Sequence, residues 1–355
     1  EIPKRDWSSD VCSSDLGIPL ARHEPLRRSI SAMGDLRAFA AILRVMLREQ
    51  PDVIHTHTAK AGALGRSAAL LYNACRPRRS RALVVHTFHG HVFEGYFSPA
   101  MNRMVRLSER WLSRAADVIV TISPRQREDI VARFGIAPAG KTVVVPLGLD
   151  LDALLALPPD PAGPRTAFGF SANDLVIGYA GRMVPVKDIP TLLAAFAKAS
   201  RLHPHLRLVL AGDGPERQAA ESLATALGVH DRLRFIGWVS DLPSFYAMLD
   251  IFALSSINEG TPVAAIEAMA ASRPVASTAV GGVPDVIDAG VTGLLVPAGS
   301  VDAMAEAFLR LAGDVALRRA MGEAGRRRVI ERYSHRRLVD EIEALYVEGL
   351  RTKRG

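Results

Sequence analysis

The feature that most constrains this chain is a regular succession of short apolar runs, each followed by a segment of helical period. Strands are expected at 52–58, 83–88, 118–123 and 142–146, with helices at 36–47, 59–71 and 101–115 and another from 124. A second series places strands at 176–180, 206–211, 233–236, 251–254, 274–278 and 293–296, and the chain reads as helical from 301 almost to its end. Strands that are apolar along their whole length are buried on both faces. Alternation with helices supplies the cover, so the pattern predicts parallel sheets with helices on each side. Pro and Gly crowd into 157–164 and separate the two series, which marks the domain boundary. The expected class is α/β, with two doubly wound Rossmann-like domains facing a cleft and ligands bound at the carboxyl ends of the strands.

The length of 355 residues suits two domains. No run of about 18 apolar residues occurs, so no spanning helix is expected. The net charge is +7, with arginines clustered at 22–28, 76–81 and 326–337. Such clusters suit phosphate-bearing partners or an anionic membrane surface, and the last reads as a solvated helix face. No basic stripe interleaved with aromatics and no nucleic-acid module is present, so nucleic acid is not an expected partner. Cys12 and Cys75 lack metal or redox spacing, which points to a reducing, cytoplasmic compartment. Residues 6–16 read DWSSDVCSSDL, the translation of a common short-read sequencing adapter. Residues 1–16 are therefore set aside as foreign, and the natural N-terminus is expected to be missing.

Chemistry concentrates at the strand ends of the second series. After the strand at 251–254 comes Glu259-Gly260-Thr261-Pro262-Val263-Ala264-Ala265-Ile266-Glu267. Thr261 is expected to cap the following helix, with Pro262 at its first position. The helix N-terminus then offers unpaired N–H groups to an anion, and two carboxylates stand ready for hydroxyls of a sugar and a ribose. Glutamates at this spacing also arise by chance on solvated helices. Two strands away in the same sheet, Gly181 is followed by Arg182 and Lys187. A planar fork and a movable point charge suit a diphosphate. Ala211-Gly212-Asp213-Gly214-Pro215-Glu216 lacks the third glycine of a dinucleotide fingerprint and reads as a tight turn. Phe235-Ile236-Gly237-Trp238 offers backbone to a base edge, and Gly281-Gly282-Val283-Pro284 allows close backbone approach.

Taken in order, GRMVPVK, AGDGPE, FIGWVSD, SSINEGTPVAAIEAMA, GGVPDVI and TGLLVP resemble the retaining GT-B glycosyltransferases of family 4. DVIHTHTAKAGALGR and HTFHGHVFEGYF resemble the bacterial branch that extends lipid-carrier-linked or surface glycans. The resemblance implies an incomplete acceptor-side domain at 17–157, a linker at 158–170, a nucleotide-sugar domain at 171–330 and a C-terminal helix at 331–355 packed back on the first domain. It implies that Arg182 and Lys187 bind the donor diphosphate beside Gly181, that Glu259 contacts the transferred sugar, and that Glu267 contacts the ribose. His89 then lies near the reacting face of the sugar. Because Pro262 has no N–H, the amides left for phosphate are those of Gly260, Thr261, Val263 and Ala264.

The implied reaction moves a hexose or N-acetylhexosamine from a nucleoside diphosphate sugar, UDP-linked by family frequency, to a hydroxyl of a lipid-carrier-linked or polysaccharide acceptor. Configuration is retained through same-face attack, with the leaving phosphate taking the acceptor proton. No obligatory metal or other cofactor is expected, and the enzyme would work in the cytoplasm or on the inner face of the membrane. A nucleotide-sugar epimerase and a non-catalytic fragment are the alternatives.

His55, His57, His86, His89 and His91 crowd at strand ends of the first series. They fit sugar or acceptor binding better than a metal, which usually draws carboxylates or cysteines as well. Asp150 and Asp152 read as turn residues rather than metal ligands. Gly17-Ile18-Pro19-Leu20 resembles the start of the family's third strand. The chain as it stands is therefore expected to be inactive and poorly soluble, with its sheet edges exposed, whereas its intact natural parent is expected to be active.

Overall fold

The computed structural model describes residues 31–90, 99–157 and 165–355. The adapter-like segment, the Gly17–Leu20 stretch, the arginines at 22–28, His91 and most of the predicted linker lie outside the described residues. In chain order the first unit comprises α1 (Ala32–Glu49), β1 (Val53–His57), α2 (Ala59–Ala74), β2 (Leu83–Phe88), α3 (Pro99–Ala115), β3 (Val118–Thr121), α4 (Pro124–Glu128) and β4 (Thr142–Val144). Then come α5 (Asp152–Leu155), β5 (Leu175–Ala180), α6 (Ile189–Leu202), β6 (Leu206–Ala211), α7 (Arg217–Ala226), β7 (Leu233–Gly237), α8 (Leu242–Ala247) and β8 (Ile251–Leu254). The chain continues through α9 (Val263–Ala270), β9 (Val275–Thr278), α10 (Val283–Val286), β10 (Gly293–Val296), α11 (Val301–Gly313), α12 (Val315–Tyr333) and α13 (His335–Arg354).

The described strands form two sheets, in which every pair is parallel, ordered β1-β2-β3-β4 and β10-β9-β8-β5-β6-β7. The apolar runs behave as their composition demands, with every residue of β2, β8 and β9 buried. In the second sheet α6 places Leu192, Leu193 and Phe196 at 0% exposure, and each such side chain contributes about 1.5–3 kcal/mol by burial. Strand order reverses between β5 and β8, which are direct neighbours. The loops after them, which carry Lys187 and Glu259, are therefore adjacent and not two strands apart. A crevice opens at such a reversal because the flanking connections leave toward opposite faces.

The two units are tied together by the chain after β4. Leu151 and Leu154, placed in the first unit by the sequence boundary, pack into the core of the second. Phe170, assigned to the linker, joins the same core, and Arg165 pairs with Asp250 at 2.8 Å. From the far end, α13 lays Leu338, Ile342, Leu345, Tyr346 and Leu350 against Leu83, Val85, Val120 and Val145 of the first sheet. Of the arginines at 326–337, Arg327, Arg332 and Arg336 are exposed as expected, whereas the other three are engaged. Arg326 donates to the carbonyls of Leu155 and Leu157, Arg328 to those of Val286 and Asp285, and Arg337 to those of Pro146 and Leu147. A guanidinium can satisfy several carbonyls at once, so Arg326 and Arg337 fasten irregular backbone on either side of the junction, and Arg328 holds α10 within the second unit.

Candidate functional site

Four strand-end loops interlock around the reversal point. The Ser255 hydroxyl donates to Lys187 O at 2.8 Å, and the Ile257 N–H to Val186 O at 2.9 Å. The loop after β6 closes on the loop after β5 through Met183 N–H to Asp213 O at 2.9 Å. Gly212 stands at φ +122°, where a Cβ would lie 1.9 Å from Gly181 O. Gly281, at φ +51°, would place a Cβ 1.8 Å from Glu259 O. Any side chain at either position would force the loops apart. The glycines serve loop-to-loop contact, and Gly181 likewise spends its N–H on Ala211 O. At the end of β7 the Gly237 carbonyl accepts from Gly212 N–H at 2.7 Å.

Lys187 and Glu259, 72 positions apart, form an ion pair at 2.5 Å. The Ser256 hydroxyl donates to the same Oε1 at 2.6 Å. The Glu259 side chain is 11% exposed and that of Lys187 21%, so the pair sits in a half-buried setting. Arg182 is exposed, and among the described residues its guanidinium has no hydrogen bond or ion pair. Its backbone is held by Tyr179, whose phenol donates to Arg182 O at 3.1 Å. Burial, and then the Glu259 charge, push the Tyr179 phenol up.

The turn after Glu259 departs from one expectation. Pro262, not Thr261, is the N-cap of α9, and no side chain caps the helix. Pro262 O takes the N–H groups of Ala265 and Ile266 at 3.1 and 3.2 Å. The amides of Gly260, Thr261, Val263 and Ala264 donate to no backbone acceptor among the described residues. Gly260, Thr261 and Glu259 line one cleft of about 320 Å³ with His89 and Ser123 of the first unit and Gly281 of the second. On the second turn of α9, Glu267 accepts from the Tyr246 phenol at 2.7 Å, and the same phenol reaches Ala264 O at 3.1 Å. Burial raises the Glu267 carboxyl above its ordinary range, against the opposing pull of the Tyr246 hydrogen bond. Tyr246 is itself fully buried and held far above the ordinary tyrosine range, so it remains a donor.

Tyr246 and Ser256 were missed by the motif reading. Ser256 stands three residues before Glu259 in the motif quoted above and could have been read as its local donor. Tyr246 sits inside the apolar pattern of α8 and gives no sign of its partner.

Of the histidines, three converge. His57 Nδ1 lies 2.8 Å from His89 Nε2, and the His55 and His57 ring centroids are 4.3 Å apart. His55 reaches Tyr346 of α13 at 2.6 Å and Thr87 at 2.7 Å. His86 faces the other side of the sheet, fully buried beside Thr56, where it packs against Gly62 of α2. Among the described residues, Asp150, Asp152 and His335 are the group of possible ligands close enough to share a metal. Both carboxylates are exposed, and the Asp152 N–H donates to Asp150 Oδ1 at 3.3 Å, as in a turn.

Burial holds His55 down to about 4 and His86 down to about 2. An unfolded histidine titrates near about 6.5, so the unfolded chain binds more protons between these limits. Stability is therefore full above about pH 6.5 and falls as pH drops, first toward the His55 value and then further toward that of His86. Urea melts across a pH series should show this slope, and His55→Gln should reduce it above pH 4. A slope untouched by the substitution would exclude the His55 contribution.

The two-sheet α/β arrangement, with strand-end loops of both units lining one cleft, is that of a GT-B sugar-transfer enzyme. Residues 165–328 match the family of glycosyl transferases group 1, and residues 3–153 match Glycosyltransferase Family 4. The chain is 32% identical over 363 residues to a D-inositol 3-phosphate glycosyltransferase of Saccharomonospora viridis, covering 95% of this chain and 80% of the relative. It is 27% identical over 331 residues to the Escherichia coli UDP-Gal:alpha-D-GlcNAc-diphosphoundecaprenol alpha-1,3-galactosyltransferase, covering 91% and 82%. Its fold superposes on Anabaena Alr3699/HepE, solved in complex with UDP, with a TM-score of 0.78 at 23% identity, covering 90% and 84%. The chain belongs to glycosyltransferase family 4 and is a glycosyltransferase. That membership sets aside the epimerase alternative. Among the described residues no helix is long and apolar enough to cross a membrane.

Proposed function

We propose that this enzyme moves a hexose or N-acetylhexosamine from a UDP-sugar to a hydroxyl of a lipid-carrier-linked or polysaccharide acceptor, with retention of configuration. The observation that carries this reading is the convergence of Lys187, Glu259 and the amides of Gly260, Thr261, Val263 and Ala264, which donate to no backbone acceptor among the described residues, at the reversal point of the second sheet. The relative from Escherichia coli is named for a UDP-galactose donor and a diphosphoundecaprenol-linked acceptor, and the Anabaena protein was solved with UDP. The first supports the donor and acceptor classes here, and the second the nucleotide of the donor.

In this reading Arg182 and Lys187 meet the diphosphate oxygens, and the turn amides take the distal phosphate at the positive end of α9. Glu267, oriented by Tyr246, accepts from the ribose hydroxyls, and Glu259 accepts from the sugar. The bond from the anomeric carbon to the diphosphate oxygen breaks as the acceptor oxygen attacks from the same face. The acceptor proton passes to the departing phosphate, so no separate base is required. His89, close to His57 and lining the cleft from the first unit, contacts the sugar on its reacting side. The protein's own cations and amides stabilise the leaving charge, so the reading needs no metal.

The test is a panel of UDP-sugars offered with a polyprenyl-diphosphate-linked sugar, with the anomeric configuration of the product read by NMR. Transfer with an axial, retained linkage is expected. An inverted product, or no transfer from any UDP-sugar while UDP binds, would overturn the reading. Removing the ribose hydroxyls from UDP should cost about tenfold in affinity in the native chain, the worth of one charge-assisted hydrogen bond. The same change should cost little in Glu267→Ala.

A further inference from the structure

The amino ends of β8 and β9 hold a cation-rich pocket that the donor site does not use. It lies at the opposite end of the strands from the cleft, because Asp250 and Pro274, which immediately precede the two strands, stand in its wall. Its volume is about 400 Å³. One side is the turn Ser272-Arg273-Pro274 that follows α9, and the other is the start of α12. Residues 315, 318, 319, 322 and 323 recur at helical spacing and so share one face of α12. Gly322 lets that face meet the turn, since a Cβ there would lie 2.1 Å from Ser272 O.

The turn itself is strained. Its amides are spent on α9, with Ser272 N–H donating to Met269 O at 3.0 Å and Arg273 N–H to Ala268 O at 2.8 Å. Ser272 stands at φ +59°, the left-handed region that a residue with a Cβ rarely adopts. It is 8% exposed, and its hydroxyl has no hydrogen-bond partner among the described residues. Glycine would serve such a turn without the strain, and a buried hydroxyl is costly when unbonded.

Three guanidiniums surround this hydroxyl's pocket. Arg273 is 6% exposed. Arg318 gives Nη1 to the carbonyls of Leu311 and Ala312, and its Nε and Nη2 have no partner among the described residues. Arg319 is the third. The acids do not balance them. Asp250 already holds Arg165 and the Val176 N–H, both at 2.8 Å, and Asp314 caps α12 through Leu317 N–H. Glu323 is exposed and makes no hydrogen bond or ion pair among the described residues. The amino end of the 19-residue α12 adds partial positive charge at the same wall.

We propose that this pocket is a second ligand site, for a small phosphorylated sugar. Arg318 and Arg319 offer planar forks to the phosphate oxygens, with Arg273 adding charge beside them. The Ser272 hydroxyl donates to the same group. Glu323 has open acceptor oxygens for the hydroxyls of the sugar. Three cations with one open carboxylate favour a phosphate ester that carries hydroxyls over a bare anion. A cavity of about 400 Å³ suits a ligand of that size. The pocket's chemistry is independent of which donor or acceptor the cleft takes.

Titration calorimetry of the full chain with glucose 6-phosphate, inorganic phosphate and glucose, each in excess UDP to keep the cleft filled, tests the site. The native chain is expected to bind glucose 6-phosphate at least about tenfold more tightly than inorganic phosphate. Arg319→Ala should weaken that binding by at least about tenfold. Ser272→Gly should weaken it too while raising the melting temperature, because glycine relieves the left-handed backbone as the hydroxyl is lost. Glu323→Ala should narrow the preference for the sugar phosphate over inorganic phosphate. UDP affinity should be unchanged in all three variants. No binding of glucose 6-phosphate, its displacement by UDP, or equal affinity for inorganic phosphate overturns the proposal. So does an affinity unchanged by either Arg319→Ala or Ser272→Gly.

Discussion

Replacing Lys187 with alanine is expected to lower the transfer rate about 100- to 1,000-fold, the usual cost of removing one preplaced group that stabilises a developing anion. UDP affinity should fall as well, for two separable reasons. The diphosphate loses a charge-assisted partner. Glu259, which shares a 2.5 Å contact with Lys187, is also left as a half-buried carboxylate beside an anion. The second effect is testable because it is reversible. Adding Glu259→Gln to the lysine variant should restore part of the UDP affinity without restoring turnover, since the amide keeps an acceptor for Ser256 but removes the repulsion. Titration calorimetry of the two single variants and the double variant gives the coupling energy between the positions. Strict additivity would show that the ion pair does not act as a unit in the ligand-binding state, and unchanged turnover in Lys187→Ala would remove the lysine from the mechanism.

The largest effect on stability is expected from Glu109→Ala. Arg66 is fully buried, its guanidinium bonded to Glu109 at 2.7 Å and to Gly62 O at 3.0 Å. Burial already lowers the arginine from its ordinary range. Taking away the carboxylate leaves an uncompensated charge between α2, α3 and His86, at a cost of about 3–5 kcal/mol. The double replacement R66M/E109L should be far milder, because two apolar groups of similar length remove the charge along with its partner. Hydrogen exchange of β1 and β2 amides is the suitable readout, since it reports on the first unit alone in a two-unit chain. Equal protection in the native protein and Glu109→Ala would show that the pair is not structural.

Both predictions rest on partners that the motif reading did not assign, and the reason is the same in each case. The strand ends were legible because apolar runs and glycine turns are local signals. Arg182, Lys187, Glu259 and Glu267 were singled out because they follow those ends. The Lys187–Glu259 pair was not legible, because its existence depends on β5 lying next to β8. Sheet order is decided by packing among strands far apart in the chain. The Thr261 cap failed for a smaller reason: Pro262 already occupies the cap position, and its carbonyl takes the first helical N–H groups. Arg326, Arg328 and Arg337 were read as solvated because composition reports charge, whereas carbonyls in segments far off in the chain gave them partners.

The sequence alone determined the two parallel α/β units, the loops that bear the chemistry and the family, since these follow from period, turn residues and motif order. Only the tertiary structure decided which charges meet, which loops interlock through Gly212 and Gly281, and which carbonyls Arg326 and Arg337 reach. Period and turn residues are local signals, whereas these contacts join residues far apart in the chain and exist only once the strands have taken their order in the sheet.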